Sequence, residues 1–485
     1  MWNLMLTHWP HVLAVVSALI AAIASIHATM TKDEVRAAIG WVGVIILSPI
    51  IGALLYAIAG INRIRRGTIT AERAATRQEM LAHPRFDADN SLVASRFGRR
   101  FTALKTLGDR ITHHRLTTAN AIETLKTGDE AYAAMIAAIA GARRSVILET
   151  YIFDRDPIGQ RVADALMSAV KRGVAVRVLI DAVGARYSVP SIVGYLREEG
   201  VPTEVFNGRI IMGLRLPYAN LRTHRKILVV DGVTAFVGGM NIRQGFTTEF
   251  AGAESARDTH FRVTGPIVSN IFTVAAEDWQ FARGERLTDE AWRNDSSEGE
   301  PGSPVLMRVV ASGPDASLET SHKMLMGAFS VARNSIRIMS PYFLPDRELI
   351  SALTTAARRG VDIDIVVPAV NNLLLVDRAM TAQFNQVLKS YCRIWRATGP
   401  FDHSKLLAVD GTWAFVGSSN LDPRSLRLNF EIDLEVLDPD FATGIDQRIG
   451  TAMASATEVT LATLRARPFL TRLIDRILWL GSPYL

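Results

Sequence analysis

The sequence predicts an α/β protein with two similar α/β/α half-domains related by pseudo-twofold symmetry, preceded by two transmembrane helices. Two long uncharged runs stand near the N-terminus, and helical and strand-like patterns alternate beyond them. The order of those patterns then repeats once. Alternation of this kind is typical of a sheet covered by helices. A repeat longer than a hundred residues indicates two half-domains rather than a short repeated motif.

The two uncharged runs cover residues 12–30 and 37–61. A hydrocarbon core about 30 Å thick needs about 20 helical residues, so the second run spans comfortably and the first only just. Pro49 lies in the middle of the second run, where membrane helices tolerate a kink. A cleaved signal peptide fits less well, because residues 1–11 contain no Lys or Arg. Two buried helices of a soluble protein are the other alternative.

The distribution of basic residues predicts the orientation of this segment. Four arginines follow the second run, whereas the turn between the runs, residues 31–36, contains two basic and two acidic residues. Basic residues favour the cytoplasmic side. Residues 1–66 are therefore expected to form two helices joined by a short external loop, with both ends of the segment inside the cell.

The rest of the chain divides by composition. Residues 67–115 are polar and basic and are interpreted as a linker with some helix, and residues 116–293 as the first half-domain. Residues 294–304 collect Gly, Pro, Ser and acids, which is a loop signal. Residues 305–485 form the second half-domain. Its last predicted helix, 470–480, is amphipathic and either lies on the membrane or, more commonly for such helices, packs back onto the domain.

The elements of the first half-domain follow from periodicity. The spacing predicts helices over 130–142 and 164–172 and strands over 146–153 and 174–180. The second half repeats this order: SVILETYIFDRD matches SIRIMSPYFLPD, and SAVKRGVAVRVLIDAV matches TAARRGVDIDIVVPAV. The two sheets are expected to meet at the pseudo-twofold axis.

A second repeat lies inside the first and consists of polar residues. THRKILVVDGVTAFVGGMN and DHSKLLAVDGTWAFVGSSN share His-x-Lys, then Asp, Gly and Asn at the same offsets. Asp-Gly between two β-rich runs predicts a strand, a tight turn and a returning strand. Residues two apart on a strand point to one face, so each His and Lys are expected side by side. The residues are His224, Lys226, Asp231, Gly238 and Asn241 in the first copy, and His403, Lys405, Asp410, Gly417 and Asn420 in the second.

Two imidazoles and two ammonium groups on one surface suit phosphodiester chemistry. One imidazole can attack phosphorus while the other protonates the leaving oxygen. The lysines can hold the phosphate oxygens and stabilise their developing charge. Zinc is disfavoured beside an ammonium, and the single cysteine, Cys392, excludes a CxxC site. No metal or cofactor is expected. The net charge of +6 favours an anionic partner, phospholipid or nucleic acid.

The doubled motif resembles the HKD pattern of the phospholipase D superfamily. Other segments are similar to bacterial cardiolipin synthases: WVGVIILSPIIGALLYAIAGINRIRR, ETYIFDRDPIG, SPYFLP, RDTHFRVTGP and NLDPRSLRLNFE. The resemblance implies two phospholipase D-like half-domains and transfer of a phosphatidyl group from one phosphatidylglycerol to another through a phosphohistidine, with release of glycerol. It also implies a multi-pass protein of the bacterial inner membrane with a cytoplasmic catalytic domain and phospholipid partners, without nucleic acid.

The resemblance also assigns roles to individual residues. His224 is expected to be the nucleophile and His403 the acid/base, although the pseudosymmetry leaves the reverse order open. Lys226 and Lys405 are expected to bind phosphate, and Asn241 and Asn420 to support the phosphate pocket. Asp231 and Asp410 belong to the catalytic motif but fall at turns, so a structural role is equally open. Asp258 and Glu431 are expected to orient the histidine of the opposite half.

Three other functions remain open on the sequence alone. If water accepted the phosphatidyl group in place of an alcohol, the protein would be a phospholipase D-type hydrolase. A nuclease-type phosphodiesterase fits the basic charge, but the two predicted spans argue against it. A lipid-binding scaffold without turnover is the non-enzymatic alternative. The second phospholipid, phosphatidylglycerol or phosphatidylethanolamine, and the oligomeric state are not determined.

Overall fold

The computed structural model describes residues 2–32, 34–61, 86–207, 221–293, 303–315 and 317–482. They fall into an N-terminal unit, up to residue 61, and a larger unit that contains both predicted half-domains. Most of the predicted inter-half loop, the N-terminal part of the predicted linker and the four arginines used to predict orientation lie outside the described residues.

The N-terminal unit is helical. Helix α1 contains a 24-residue stretch, residues 8–31, that is long and apolar enough to cross a membrane. The helices pack against one another, and His27 Nδ1 lies 2.7 Å from the hydroxyl of Tyr56 in the last turn. The elements are α1 (Trp2–Thr31), α2 (Val35–Leu47), α3 (Pro49–Leu55) and a π-helical turn (Tyr56–Gly60).

The second predicted span differs from the prediction because it is broken at Ser48. Ser48 leaves the helical region (φ −144°, ψ 81°), and Pro49, which has no N–H to donate, begins the next helix. A Cβ on Gly52 would lie 2.3 Å from the carbonyl oxygen of Val44, so the bend brings these two backbones together. Among the described residues, α1 alone has the length of a span, and α2 and α3 are shorter apolar helices.

The larger unit begins with two helices and the first half-domain. The predicted helices and strands are present, with bounds shifted by up to seven residues. The largest shift is at the helix predicted over 164–172, here α7. It begins at Pro157, because Asp156 caps its N-terminus and proline is favoured in the first turn. The elements are α4 (Asn90–Phe97), α5 (Arg99–Ile111), β1 (Thr117–Leu125), α6 (Gly128–Gly141), β2 (Ser145–Thr150), α7 (Pro157–Lys171), β3 (Ala175–Asp181), α8 (Ile192–Glu198), β4 (Thr203–Phe206), β5 (Arg222–Thr223), β6 (Ile227–Val230), β7 (Thr234–Gly238), α9 (Thr248–Ala251), β8 (His260–Thr264) and α10 (Ile267–Arg283).

The second half-domain repeats this order and adds a C-terminal extension. Its elements are β9 (Val305–Ser312), α11 (Thr320–Val331), β10 (Ser335–Met339), α12 (Arg347–Arg358), β11 (Asp362–Pro368), α13 (Leu374–Leu388), β12 (Arg393–Ala397), β13 (Leu406–Val409), β14 (Trp413–Gly417), α14 (Pro423–Arg427), β15 (Asn429–Leu437), α15 (Pro439–Ala454), β16 (Ala456–Val459), α16 (Leu461–Ala466) and α17 (Phe469–Leu480).

The strands form one continuous mixed sheet in the described part of the chain. Strands β2, β3 and β4 are parallel, and β2 continues through β6, β7, β8 and β1 in antiparallel pairs. The second half has the same order, from β12 through β11, β10, β13, β14 and β15 to β9. Because β1 pairs with β9, the two half-sheets join edge to edge at the pseudo-twofold axis instead of packing as separate layers.

The predicted linker is wrong over residues 90–111, which form α4 and α5 and belong to the folded unit. Val93, Phe101 and Leu104 are buried in the core of the second half-domain together with residues of α11 and α12. The apolar positions of α5 recur at helical spacing, and this stripe is buried against α11. The many exposed basic residues of the segment lower its mean hydropathy and obscure that stripe in the sequence.

Candidate active site

At the start of each motif, the backbone forms hydrogen bonds with the opposite half-domain. The backbone N–H of His224 donates to the carbonyl of Phe430, at 2.8 Å, and that of His403 donates to the carbonyl of Arg257, at 2.7 Å. Strand β5 also pairs with β15 of the second half. The histidines lie in the short irregular segments before β6 and β13, not within the strands as predicted. As a result of these hydrogen bonds, His224 and His403, which are 179 positions apart in the sequence, both lie near the pseudo-twofold axis.

The two histidines each contact a carboxylate of the opposite half. His224 Nδ1 lies 3.0 Å from Glu431 Oε2, and His403 Nδ1 lies 2.8 Å from Asp258 Oδ2. All four side chains are buried or nearly so. A carboxylate accepts the Nδ1–H, which fixes the tautomer and leaves the lone pair on Nε2. The structure thus places Asp258 and Glu431 where the sequence analysis expected them.

The pKa values of the two carboxylates are shifted in opposite directions. Burial alone would raise the pKa of Asp258, but the Lys405 ammonium and the hydrogen bond from His403 together hold it below its usual value. Burial raises the pKa of Glu431, and the opposing effect of Lys226 does not overcome it. The pair around His403 therefore has the more firmly ionised carboxylate.

The lysines lie against the histidines, as their spacing predicts. Lys226 Nζ donates to the carbonyl of His224, and Lys405 Nζ lies 3.9 Å from Asp258 Oδ2 and 2.8 Å from His403 Nδ1. Burial lowers the pKa of Lys226 to about 7 and that of Lys405 to about 8. Burial and the nearby ammonium groups also lower the pKa values of the histidines, that of His403 to about 4. Titratable groups that lie close together and have shifted pKa values are typical of a reactive site.

A cavity of about 840 Å³ opens onto both histidines. Both predicted asparagines, Asn241 and Asn420, are among the residues that line it. Asn241 Oδ1 accepts a hydrogen bond from the N–H of Ile152, whereas Asn420 Nδ2 lies 3.4 Å from Ser425 Oγ. Residues of both half-domains form the walls, so the cavity depends on their joining.

The motif aspartates lie apart from the histidines, at the far ends of β6 and β13. The carboxylate of Asp231 accepts hydrogen bonds from the backbone N–H groups of residues 143, 144 and 145, at 2.9, 2.7 and 2.9 Å. Asp410 accepts the equivalent bonds from residues 333, 334 and 335. Both have positive φ, of 55° and 53°. Each aspartate holds a β-turn against the loop before the first parallel strand of its half, so of the two roles left open for these residues the contacts support the structural one.

The motif glycines make room for protein groups and not for phosphate. A Cβ on Gly238 would lie 2.5 Å from the ring of His260 and 2.7 Å from the carbonyl of Thr259. A Cβ on Gly417 would lie 2.4 Å from the carbonyl of Ile432. The absence of a side chain at these glycines therefore allows neighbouring strands to approach closely.

Several cavity residues were not predicted. Tyr151 packs edge-on against His224, with ring centroids 5.2 Å apart, and Tyr342 does so against His403 at 6.1 Å. Arg222, Arg424 and Asp422 also line the cavity. All five lie within the quoted sequence signatures or directly before the first motif, so proximity to a motif was the available signal.

Within the described residues, one group of side chains has the composition of a metal site, and it lies at the N-termini of α11 and α12. It consists of His322, Asp346 and Glu348. His322 Nε2 is 2.9 Å from Asp346, and the guanidinium of Arg427 lies 3.6 Å from the same carboxylate. The carboxylate of Asp346 is thus already paired with an arginine of the protein.

Two family models match the chain. One, described as "Cardiolipin synthase, PLD-like domain", matches residues 135–250 and 325–452, which contain both histidine motifs. The other, described as "Phospholipase D-nuclease N-terminal", matches residues 18–60.

Relatives align over nearly the whole chain. Cardiolipin synthase A of Pseudomonas aeruginosa is 32% identical over 466 residues, which cover 96% of this chain and 94% of the relative. Cardiolipin synthase of Alkalihalophilus pseudofirmus is 31% identical and covers 92% and 88%. Among solved structures, phosphatidylserine synthase of Haemophilus influenzae superposes with a TM-score of 0.60 at 16% identity, over 79% of this chain and all of that one. That likeness concerns the fold.

The hydrogen bonds of Asp231 predict that it contributes stability and not turnover. Asp231→Ala removes the acceptor of three N–H groups and is expected to lower the free energy of unfolding by about 2–3 kcal/mol, while the remaining folded protein keeps its turnover. Asp231→Asn, which tolerates positive φ and keeps one acceptor oxygen, is the matched control and should lose less. Urea unfolding and turnover per folded molecule measure both. Loss of turnover with unchanged stability would return Asp231 to the catalytic group.

Proposed function

Because the chain belongs to the cardiolipin synthase family of phospholipase D-like proteins, we propose that it joins two phosphatidylglycerol molecules into cardiolipin and releases glycerol. Phosphatidyl transfer is the activity of the family, and the chain is a phosphatidyltransferase. The identity of both lipids and the covalent mechanism are the proposed part.

One observation carries the proposal: two imidazoles, one from each half, face a single cavity, and each is held through Nδ1 by a carboxylate of the other half. Hydrolysis or transfer at phosphorus needs a nucleophile and a proton donor on opposite sides of the phosphate. A pair related by a pseudo-twofold axis supplies both. Neither half contains a complete set.

In the proposed first step, Nε2 of His224 attacks the phosphorus of the donor lipid. A N–P bond forms, and the P–O bond to the glycerol head group breaks. Protonated His403 gives its Nε2 proton to the leaving alkoxide, so free glycerol departs. The phosphatidyl group remains on His224 as a phosphohistidine, and Nδ1–H of that ring donates to Glu431.

In the second step, a primary hydroxyl of the acceptor's glycerol head group attacks the phosphohistidine. His403, now neutral, takes the proton of that hydroxyl, and the N–P bond to His224 breaks. Cardiolipin leaves, and His403 again carries the proton that the next donor requires. Two phosphatidylglycerol molecules have become cardiolipin and glycerol, with atoms and charge conserved.

The lysines support the negatively charged phosphate in both steps. Lys226 and Lys405 are buried on either side of the histidine pair, so their charge is little screened by water. Bound phosphate stabilises the protonated form of each lysine and of His403, which opposes the lowering of their pKa values in the free protein. Protonated His403 is therefore favoured when a donor lipid is present.

The two carboxylates support the assignment of His224 as nucleophile. The acid/base histidine must become an imidazolium, which a firmly ionised neighbour stabilises. Asp258, beside His403, has the lowered pKa, whereas Glu431, beside His224, has the raised one. A neutral imidazole is favoured at His224, and a neutral imidazole is the nucleophilic form.

The proposed location of the protein in the cell follows from its N-terminal unit and its proposed lipid substrate. We assign α1 to one membrane span and α2 with α3 to a second, broken one, since together these two helices cover an apolar run of about the required length. The excess of arginine after residue 61 supports a cytoplasmic catalytic unit. In a bacterium this places the enzyme in the inner membrane.

The products distinguish a synthase from a hydrolase. Full-length protein in detergent with phosphatidylglycerol labelled in the glycerol head group and the acyl chains is expected to give cardiolipin and free glycerol in equal amounts. Phosphatidic acid as the main product, without cardiolipin, would contradict the proposal in favour of hydrolysis. A parallel reaction with added phosphatidylethanolamine tests the second lipid, because a phosphatidylethanolamine donor would release ethanolamine in place of glycerol.

A donor lipid with a good leaving group distinguishes the role of His224 from that of His403. Phosphatidyl-p-nitrophenol needs no proton donor, since nitrophenolate leaves unprotonated at neutral pH. His403→Ala is therefore expected to retain a burst of one nitrophenolate per enzyme and to become labelled with phosphatidyl group, whereas His224→Ala should lose both by about a thousandfold or more.

The reverse pattern would exchange the roles of the two histidines. Nitrophenolate release without labelled enzyme, in both variants and in the wild type, would contradict the covalent step. Asp231→Asn serves as the control for a motif variant that is expected to keep the burst.

A further inference from the structure

Helix α17 packs along α13 and still exposes an apolar row to solvent. Its inner side, which includes the buried Asp475 and partly buried Leu478 and Trp479, faces the core of the second half-domain. The helix therefore packs onto the second half-domain, which is one of the two predicted arrangements. The outer side nevertheless exposes large apolar side chains. Burying one side of a helix normally leaves the other side polar, so this outer side requires a partner.

Large apolar side chains are also exposed at the beginning of α13, the helix that α17 packs against. We call the two groups together the apolar shelf, and it consists of Leu374, Leu375, Leu470, Leu473, Ile477 and Leu480, which are 41–72% exposed. Six large exposed apolar side chains on two helices in contact exceed the scattered exposed residues of an ordinary soluble surface.

The shelf adjoins the mouth of the active-site cavity. Leu373 and Val376, at the N-terminal end of α13, line the cavity, and so does Ser482, two residues beyond the C-terminal end of α17. Both helices of the shelf thus end at the opening through which a substrate reaches the histidines. A partner bound to the shelf would face that opening.

The charges of the shelf favour an anionic partner. Arg472 and Arg476 are exposed on α17, and the one acid of that helix, Asp475, is buried and paired with Arg467 at 2.5 Å. An apolar row flanked by arginines, with no exposed acid on the helix, is typical of a helix that lies at the surface of an anionic bilayer.

We propose that the apolar shelf docks onto an anionic phospholipid bilayer, so that lipid head groups pass from the bilayer directly into the cavity. The inference rests on the proposed phospholipid substrate. The shelf side chains enter the boundary between head groups and acyl chains, the two arginines contact lipid phosphates, and the cavity mouth meets the head groups without the lipid leaving its layer.

Quenching by brominated lipids tests the contact. Full-length protein in nanodiscs of phosphatidylglycerol and phosphatidylcholine carries a single fluorescent label at Leu473→Cys or Leu374→Cys, in a Cys392→Ala background. Glu198→Cys, on exposed α8 of the first half-domain, is the control. Bromine on the acyl chains is expected to reduce the shelf signals about twofold or more and to leave the control unchanged. Unquenched shelf labels in active protein would overturn the proposal, as would cross-linking of Leu473→Cys between two copies without quenching.

Turnover measured both in bilayers and in detergent micelles distinguishes an effect on membrane docking from an effect on catalysis. Leu473→Glu/Ile477→Glu is expected to reduce cardiolipin formation in bilayers about tenfold and to leave it unchanged in detergent micelles, where lipid exchanges freely. Leu473→Ala/Ile477→Ala should fall between this variant and the wild type. Equal turnover of all three proteins in bilayers would overturn docking. Absence of cardiolipin in both settings, for the wild type as well, would instead contradict the proposed function.

Discussion

The structure depends on two buried hydrogen bonds that cross from one half-domain to the other, His224 to Glu431 and His403 to Asp258. A buried carboxylate without a partner is strongly destabilised. Each half-domain on its own would hold one of these acids without the histidine that donates to it, and would keep only the donors of its own half, such as Ser418 for Glu431 and the N–H of Thr259 for Asp258. The repeat is therefore not two copies of a working site but two incomplete parts, and this explains why both copies keep the same polar residues.

The continuous sheet makes this exchange possible. Strands β1 and β9 pair at the pseudo-twofold axis, and the backbone of each motif then forms hydrogen bonds with the opposite half before its own strand begins. The histidines, lysines and acids consequently converge where the halves meet, in a water-poor region that strengthens their interactions. The same burial lowers the pKa values of the lysines and histidines, and bound phosphate favours the protonated forms of Lys226, Lys405 and His403.

Much of this arrangement is encoded in patterns that a sequence displays. Alternating helices and strands, the repeat and the His-x-Lys spacing predict the half-domains and the convergence of His224 with His403. The position of Asp258 and Glu431 follows from resemblance, because nothing in their own spacing points across the axis. For Asp231 and Asp410 the shared motif favours catalysis and the predicted turn favours a structural role, and the sequence does not decide between them. Their contacts with N–H groups 75 or more residues upstream arise only in the folded chain. The break at Ser48 and the burial of α5 likewise depend on which neighbours the fold supplies.

The central claim is that each histidine is held by the acid of the opposite half. Nitrogen NMR of histidine-labelled full-length protein, with His224 and His403 assigned from His→Gln variants, reads the tautomer and environment of each ring. Asp258→Asn is predicted to shift the ring nitrogens of His403 and to leave His224 unchanged, and Glu431→Gln to do the reverse. A response of the histidine in the same half as the substituted acid, or of neither histidine, would contradict the account.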